Sequence, residues 1–268
     1  STAYHTCFII MGMGWVEERM AVEAEWRLFP TGPEMVKAFE KNELDMGYMG
    51  LPPALMGIDG GIRVKCVAGG HMEGTVLTAK NSYRTLRELG GIEKTLEQFK
   101  GKAIGTTSRG AIHDVIIRGL IDEAGLQHNI VVKNFEWAEF ILEAMEEGVV
   151  EGGVGAPPLA VLASRFLDAK LVLQPNEMWP NNPSYGIVVT MEMIRDYPDL
   201  LMEFLKLHEE ACNMMRKHPL KSAEVVAKAV GVFDRNFVLD VYRVSPKYCA
   251  ALSKEYVEST LAFIPVLR

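Results

Sequence analysis

The sequence predicts an α/β fold of two matched lobes joined by two crossing strands. Three observations carry this. A unit of helix, polar turn, short apolar strand and new helix occurs twice, at residues 35–55 (MVKAFEKNELDMGYMGLPPAL) and 141–160 (ILEAMEEGVVEGGVGAPPLA). Met35 matches Ile141, Ala38 matches Ala144, Glu40 matches Glu146 and Asp45 matches Glu151, all at an offset of 106. Strand-like and helix-like segments alternate through both copies, the pattern of parallel sheets covered by helices. Two further strand-like runs, 75–79 after the first copy and 185–190 after the second, sit where the chain must cross between lobes and return.

Within the first copy, residues 7–20 (CFIIMGMGWVEERM) read as a helix and 22–29 (VEAEWRLF) as a short strand with branched and aromatic residues. In the second copy, 102–106 (KAIGT) read as a strand, 107–110 (TSRG) as a helix-opening turn, 112–125 as a helix and 128–135 (HNIVVKNF) as a strand. Each copy is therefore β-α-β-α-β, with right-handed crossovers and a mainly parallel sheet. The first copy opens at the loop of Thr2, Ala3, Tyr4 and His5. The repeat thus predicts an apolar strand ahead of Ser1, with any export signal further upstream. The second copy is one residue shorter before its proline pair, Pro157-Pro158 against Pro52-Pro53.

Between the copies, 86–89 and 96–99 suit short helical turns, and 171–173 suits a strand. From residue 191 onward the period is helical, with Pro198, Pro219 and Pro246 near expected helix starts. This part is expected to cap the first lobe. The expected division is 1–78 with 188–268 for one lobe and 79–187 for the other.

The 268 residues are 49% hydrophobic and 24% charged, an ordinary globular balance that suffices for two lobes. A net charge of −7 without a long basic run gives nucleic acid nothing to bind. No apolar run reaches the length of a membrane span. Cys7, Cys66, Cys212 and Cys249 are too widely spaced for a zinc cluster, so no metal or cofactor is called for.

In open α/β sheets ligands bind beyond the carboxyl ends of strands, at helix N-termini. The loops so placed carry Tyr4, His5, Thr31, Gly32, Tyr48, Met49, Leu51, His71 and Glu73 in the first lobe. In the second they carry Thr107, Ser108, Arg109, Glu136, Trp137, Gly155 and Ala156, with Asn182 on the returning loop. The set offers rings to stack on a ligand, hydroxyls and amides to orient it, and few charges. Alternatives stand beside each assignment. Thr31 is also placed to cap a helix, Arg109 to pair with Asp114 rather than grip a carboxylate or sulfonate, and Trp137 to serve in the core. Cys7 with His5 or His71 is the one pair that could be reactive, set against Cys7 as a helix-core thiol. No P-loop, Gly-x-Ser-x-Gly or His-Glu-x-x-His motif occurs.

These residues resemble a known family. The run ELDMGYMG (43–50), the preceding FPTGPEMV (29–36), LEQFKG (96–101) ahead of KAIG, and Glu151 before a loop with Pro157-Pro158 are similar to extracytoplasmic solute-binding proteins of ABC importers. The subgroup is the nitrate, sulfonate, taurine and thiamine-precursor type. The resemblance implies a type II periplasmic-binding-protein fold, two α/β lobes joined by two hinge strands. It implies capture of a sulfonate, carboxylate, nitrate-like anion or heteroaromatic vitamin precursor, delivered to a permease and its ATPase without catalysis. It implies a monomer in the periplasm or at the outer membrane face, reaching the membrane only through the permease or a lipid anchor. The same fold also hosts desulfinase-like and menaquinone-pathway-like enzymes, the alternative function.

Overall fold

A computed structural model describes residues 4–267; Thr2 and Ala3 of the opening loop lie outside the described residues. Two sheets are present. The first has the order β1 (Met46–Met49), β8 (Pro183–Thr190), β2 (Val64–Met72), β9 (Tyr248–Cys249). The second has the order β5 (Val131–Asn134), β4 (Ala103–Thr106), β6 (Gly152–Gly155), β3 (Val76–Lys80), β7 (Ala169–Leu173).

The repeat survives in three dimensions. Helix α3 (Gly32–Glu40) and α8 (Ala138–Glu146) differ by 106 at both ends, as do β1 and β6. Helix α4 (Leu51–Asp59) and α9 (Pro157–Phe166) also start 106 apart. The one-residue difference before the prolines is therefore no deletion. The proline pair occupies the second and third helical positions of α4 but the first and second of α9. Gly47 and Gly153 face equivalent neighbours: a Cβ on Gly47 would meet Met35 and Phe39, one on Gly153 Ile141 and Met145.

Four expectations need correction. The sheets are not mainly parallel. β4 is parallel to β5 and β6, but β3 is antiparallel to β6 and β7, and β8 is antiparallel to β1 and β2. The crossing strands are the cause: each inserts into the sheet of the lobe it enters, against the direction of its neighbours. Residues 22–29 are not a strand, although their alternation suits one; among the described residues none of their backbone groups enters a ladder. The helix expected over 7–20 is two, α1 (Cys7–Gly12) and α2 (Trp15–Met20), broken at Gly14, whose φ of 65° is left-handed. Pro198 and Pro219 do open α12 (Pro198–Lys217) and α13 (Pro219–Val230), whereas Pro246 leads into β9, which pairs with β2.

Each lobe has its own core. On the first, Ile9, Ile10, Tyr185, Ile187 and Val189 pack against α12, α13 and α14 (Arg235–Val244) through Phe204, Ala211, Val226 and Val238. On the second, α7 (Ile112–Glu123) lays Ile116, Ile117 and Leu120 on Ile104 and Leu77. Helix α15 (Lys254–Leu261) spans the two: Tyr256 is buried with Val188 of the first lobe, and Phe263 just beyond it stacks on Trp179, centroids 4.2 Å apart, in the core of the second. Glu73 fastens the crossing. It accepts a hydrogen bond from Asn181 N at 2.9 Å and pairs with Lys247 at 2.8 Å.

Candidate functional site

A cavity of about 700 Å³ opens between the lobes. From the first lobe it is lined by Tyr4 and His5 before α1, Thr31 and Gly32 at the start of α3, and Tyr48, Met49 and Gly50 at the end of β1. From the second come Thr107 after β4, Ala111, Ile112 and His113 at the start of α7, Ala138 opening α8 and Ala156 capping α9. Ser184, on the returning strand, lies at the junction. The strand ends bring these together because equivalent β-to-α turns of the two copies face one another. The lobes touch here: a Cβ on Gly50 would stand 3.0 Å from Ile112 Cγ2.

The first-lobe wall is a stack of rings. His5 lies 4.2 Å from Tyr185 and 4.6 Å from Tyr4 by ring centroids, and is stacked against Tyr48 at 6.3 Å. Tyr48 is held from behind by His208. The Nε2 of His208 donates to Gly69 O at 2.8 Å, so its Nδ1 accepts from the hydroxyls of Tyr48 and Thr6, each at 3.1 Å. On the facing wall His113 is hydrogen-bonded to Thr75 Oγ1 at 2.9 Å. Burial pushes His113 down to about 4, and burial together with the nearby His71 pushes His5 down to about 3. Both rings are neutral at pH 7. Burial, partly offset by Ser184, raises the Tyr4 hydroxyl to about 12.

Two hydroxyls complete the site. Thr31 Oγ1 and Thr107 Oγ1 are buried and make no hydrogen bond within the protein. Thr31 stands at the N-cap position of α3 without a side-chain capping bond. A buried hydroxyl without a partner costs on the order of 1–3 kcal/mol. Both oxygens are sealed beneath the cavity wall, as are Thr106 Oγ1, His71 Nδ1, Asn182 Oδ1 and the hydroxyls of Tyr242, Tyr248 and Tyr256. Thr31 and Thr107 turn a hydroxyl to a ligand edge only by rotation about χ1.

Formal charge lines part of the cavity. Among the described residues the charged ones in the lining are Glu23, Glu25, Arg27, Glu43 and Asp45, on the stretches before α3 and before β1, and Arg27 is paired with Glu43 at 3.5 Å. Four of the helix N-termini near the cavity, those of α3, α4, α9 and α7, are also poor anion sites, while that of α8 carries neither proline nor a side-chain cap. Prolines occupy the first turns of α3, α4 and α9, removing N–H donors. The N-terminus of α7 already has its own carboxylate: Asp114 accepts from Gly110 N at 3.0 Å and from Arg118 at 2.7 Å.

Tyr4, His5, Thr31, Gly32, Tyr48, Met49, Thr107 and Ala156 thus share the cavity wall. The other expected site residues stand elsewhere. Leu51 is core, beside Val188 and Tyr256. His71 lies behind Tyr4, bonded through Nε2 to Ser245 O at 2.8 Å, and Glu73 is tied into the crossing. Arg109 is exposed and reaches Asp114 at 3.9 Å. Ser108 and Trp137 are half-buried outside the lining, and Glu136 is exposed. Gly155 packs on Leu159, and Asn182 is buried with Nδ2 donating to Trp179 O at 2.9 Å. Sequence reasoning missed His113 and Ser184. The repeat offset held the signal for the first, since His113 is the counterpart of Cys7 and both line the cavity.

Comparison with known proteins agrees with this architecture. The alkanesulfonate-binding protein of Xanthomonas axonopodis pv. citri, bound to MOPS, superposes with a TM-score of 0.79 at 16% identity, covering 96% of this chain and 86% of its own. The periplasmic aliphatic sulphonate-binding protein of Escherichia coli gives 0.78 at 15% identity, covering 99% and 82%. The periplasmic nitrate-binding protein of Synechocystis gives 0.72 at 12%, covering 91% and 67%. The fold is that of periplasmic solute-binding proteins. A Brucella abortus protein named as a candidate binding protein is 22% identical over 222 residues, 82% of this chain; the chain spans 66% of that relative's length. The NMT1-like family matches residues 2–231, and with the duplicated lobes and the cleft between them this places the chain in that family.

Proposed function

We propose that this protein is a non-catalytic solute-binding component of an ABC import system, working outside the cytoplasm as a monomer. It captures a small, flat, uncharged heteroaromatic molecule between its lobes and hands it to a permease driven by a separate ATPase. The observation that carries this is the pair of unpartnered hydroxyls, Thr31 and Thr107, one from each lobe on one cavity wall and its opposite. A ligand edge that satisfies both would bind the closed arrangement better than the open one, which is what closure requires. The rings of Tyr4, His5 and Tyr48 supply the stacking face.

The sulfonate- and nitrate-binding neighbours make an anion the natural rival. The cleft argues against it. Its histidines are held neutral, the one arginine that lines it among the described residues is paired with Glu43, and three of its helix starts, those of α3, α4 and α9, have lost a donor to proline. The enzyme alternative would need Cys7 as a thiolate, yet burial pushes that thiol up to about 12. Thermal-shift screening against neutral nitrogen heterocycles, alkanesulfonates, small carboxylates and nitrate tests the proposal. Stabilisation by heterocycles alone is expected; stabilisation by a sulfonate or nitrate alone would replace the ligand class, and none by any class would sink the transport reading.

A further inference from the structure

The two walls of the cleft meet a ligand unequally, and the difference falls on one pair of matched positions. Cys7 opens α1 in the first lobe, and His113, at the same offset of 106, stands in the first turn of α7 in the second; both line the cavity. The Cys7 thiol, pushed up by burial, stays protonated and is a weak donor. His113 brings an imidazole that burial holds neutral, with two ring nitrogens and one proton between them. Which nitrogen carries that proton decides what the ring can recognise.

The ring's surroundings decide between the two. Nδ1 lies 2.9 Å from Thr75 Oγ1. Thr75 stands just ahead of β3, on the chain that crosses from one lobe to the other, and is fully buried. Its hydroxyl has no other hydrogen-bond partner among the described residues. Were Nδ1 protonated, Thr75 could only accept, and its own proton would be sealed away without an acceptor. With the proton on Nε2, the Thr75 hydroxyl donates to Nδ1 and nothing behind the ring is left unpaired. The Nε2–H then has no partner among the described residues, yet it is not enclosed as His71 Nδ1 is. Since His113 lines the cavity, that N–H is a donor open to a ligand.

We propose that His113 is a specificity-determining donor of the cleft, its Nε2–H aimed at an unprotonated ring nitrogen of the ligand, with Thr75 as the positioning residue that keeps the proton on that side. The partner group rests on the reading of the cleft as a heterocycle site; the placement of the proton does not. An unprotonated ring nitrogen offers an in-plane lone pair and no competing proton. A ring N–H at the same place would set two donors against each other, which is how the site rejects the wrong ligand. The crossing chain therefore both joins the lobes and fixes the donor, because Glu73, two residues before Thr75, is held by Asn181 N and Lys247.

The test uses the parent chain, Thr75→Val, Thr75→Ser and His113→Leu. Long-range proton–nitrogen correlation of the imidazoles, without ligand and near neutral pH, reads which nitrogen is protonated; the His113 signals are those missing from His113→Leu. The parent and Thr75→Ser are expected to show Nε2–H alone, and Thr75→Val a mixture of both tautomers. Calorimetric titration with an aminopyrimidine and with aniline, which keeps the ring and amino group but has no ring nitrogen, reads the specificity. The preference for the aminopyrimidine should fall about fivefold or more in Thr75→Val and His113→Leu and return in Thr75→Ser. A parent ring carrying its proton on Nδ1 would overturn the proposal. So would a Thr75→Val chain with mixed tautomers and an unchanged preference. A parent that binds neither probe but shows Nε2–H alone would sink the heterocycle reading while upholding the donor that Thr75 fixes.

Discussion

Thr31 and Thr107 give the sharpest handle at the scale of single residues. Valine has the same shape as threonine and removes a hydroxyl that has no partner in the protein. Thr31→Val and Thr107→Val should therefore leave stability unchanged or raise it by up to ~1 kcal/mol, while lowering ligand affinity roughly 5- to 100-fold each. Calorimetric titration beside thermal unfolding separates the two effects. A second expectation concerns the buried histidines His71, His113 and His208, each pushed by burial from the ordinary 6.5 to about 4. The unfolded chain binds more protons than the folded one between those values, so their contribution is complete above pH 6.5 and is lost as pH falls toward 4. Each would then cost up to ~1.4 kcal/mol per pH unit in that window. Urea midpoints should fall between pH 7 and pH 5, and His113→Gln should flatten that slope; a profile already flat would contradict the assignment. Tyr4, His5 and Tyr48 were legible in the sequence because strand-to-helix turns fix where such residues point. His71 and Glu73 were not: His71 pairs in β2 with Tyr248 of β9, and Glu73, just past β2, is held by Asn181 and Lys247, all non-local facts.

At the scale of elements, most helices and strands were readable because periodicity and proline positions are local signals. The antiparallel crossing strands and the failed strand at 22–29 were not. A strand exists only with a ladder partner, and the partner is a non-local fact. VEAEWRLF alternates as a strand should, yet lacks a neighbour among the described residues. Close packing at β2 and β8 offers a test of this level. A Cβ on Gly70 would meet Tyr185 Cε2 at 2.2 Å, and Tyr185 is fully buried. Gly70→Ala should cost on the order of 1–3 kcal/mol by denaturant titration.

For the whole molecule, the duplication gives two lobes whose loops face each other, and α15 fastens them on the far side through Tyr256 and Phe263. Closure is then a matter of small approach distances. Gly50 has φ −60° and ψ 145°, open to any residue, so its smallness serves Ile112 across the cleft. Gly50→Val should hold the lobes apart, weakening ligand binding about tenfold or more while the unfolding temperature stays within about 3 °C of the parent. The account as a whole claims that an uncharged heteroaromatic ligand bridges the two hydroxyls. Calorimetric titration of the parent chain and of the Thr31→Val/Thr107→Val double variant, with an aminopyrimidine and with an alkanesulfonate, tests that claim most directly. The account predicts binding of the aminopyrimidine by the parent, lost in the double variant, and none of the sulfonate. Binding of the sulfonate but not the aminopyrimidine, undiminished in the double variant, would contradict it.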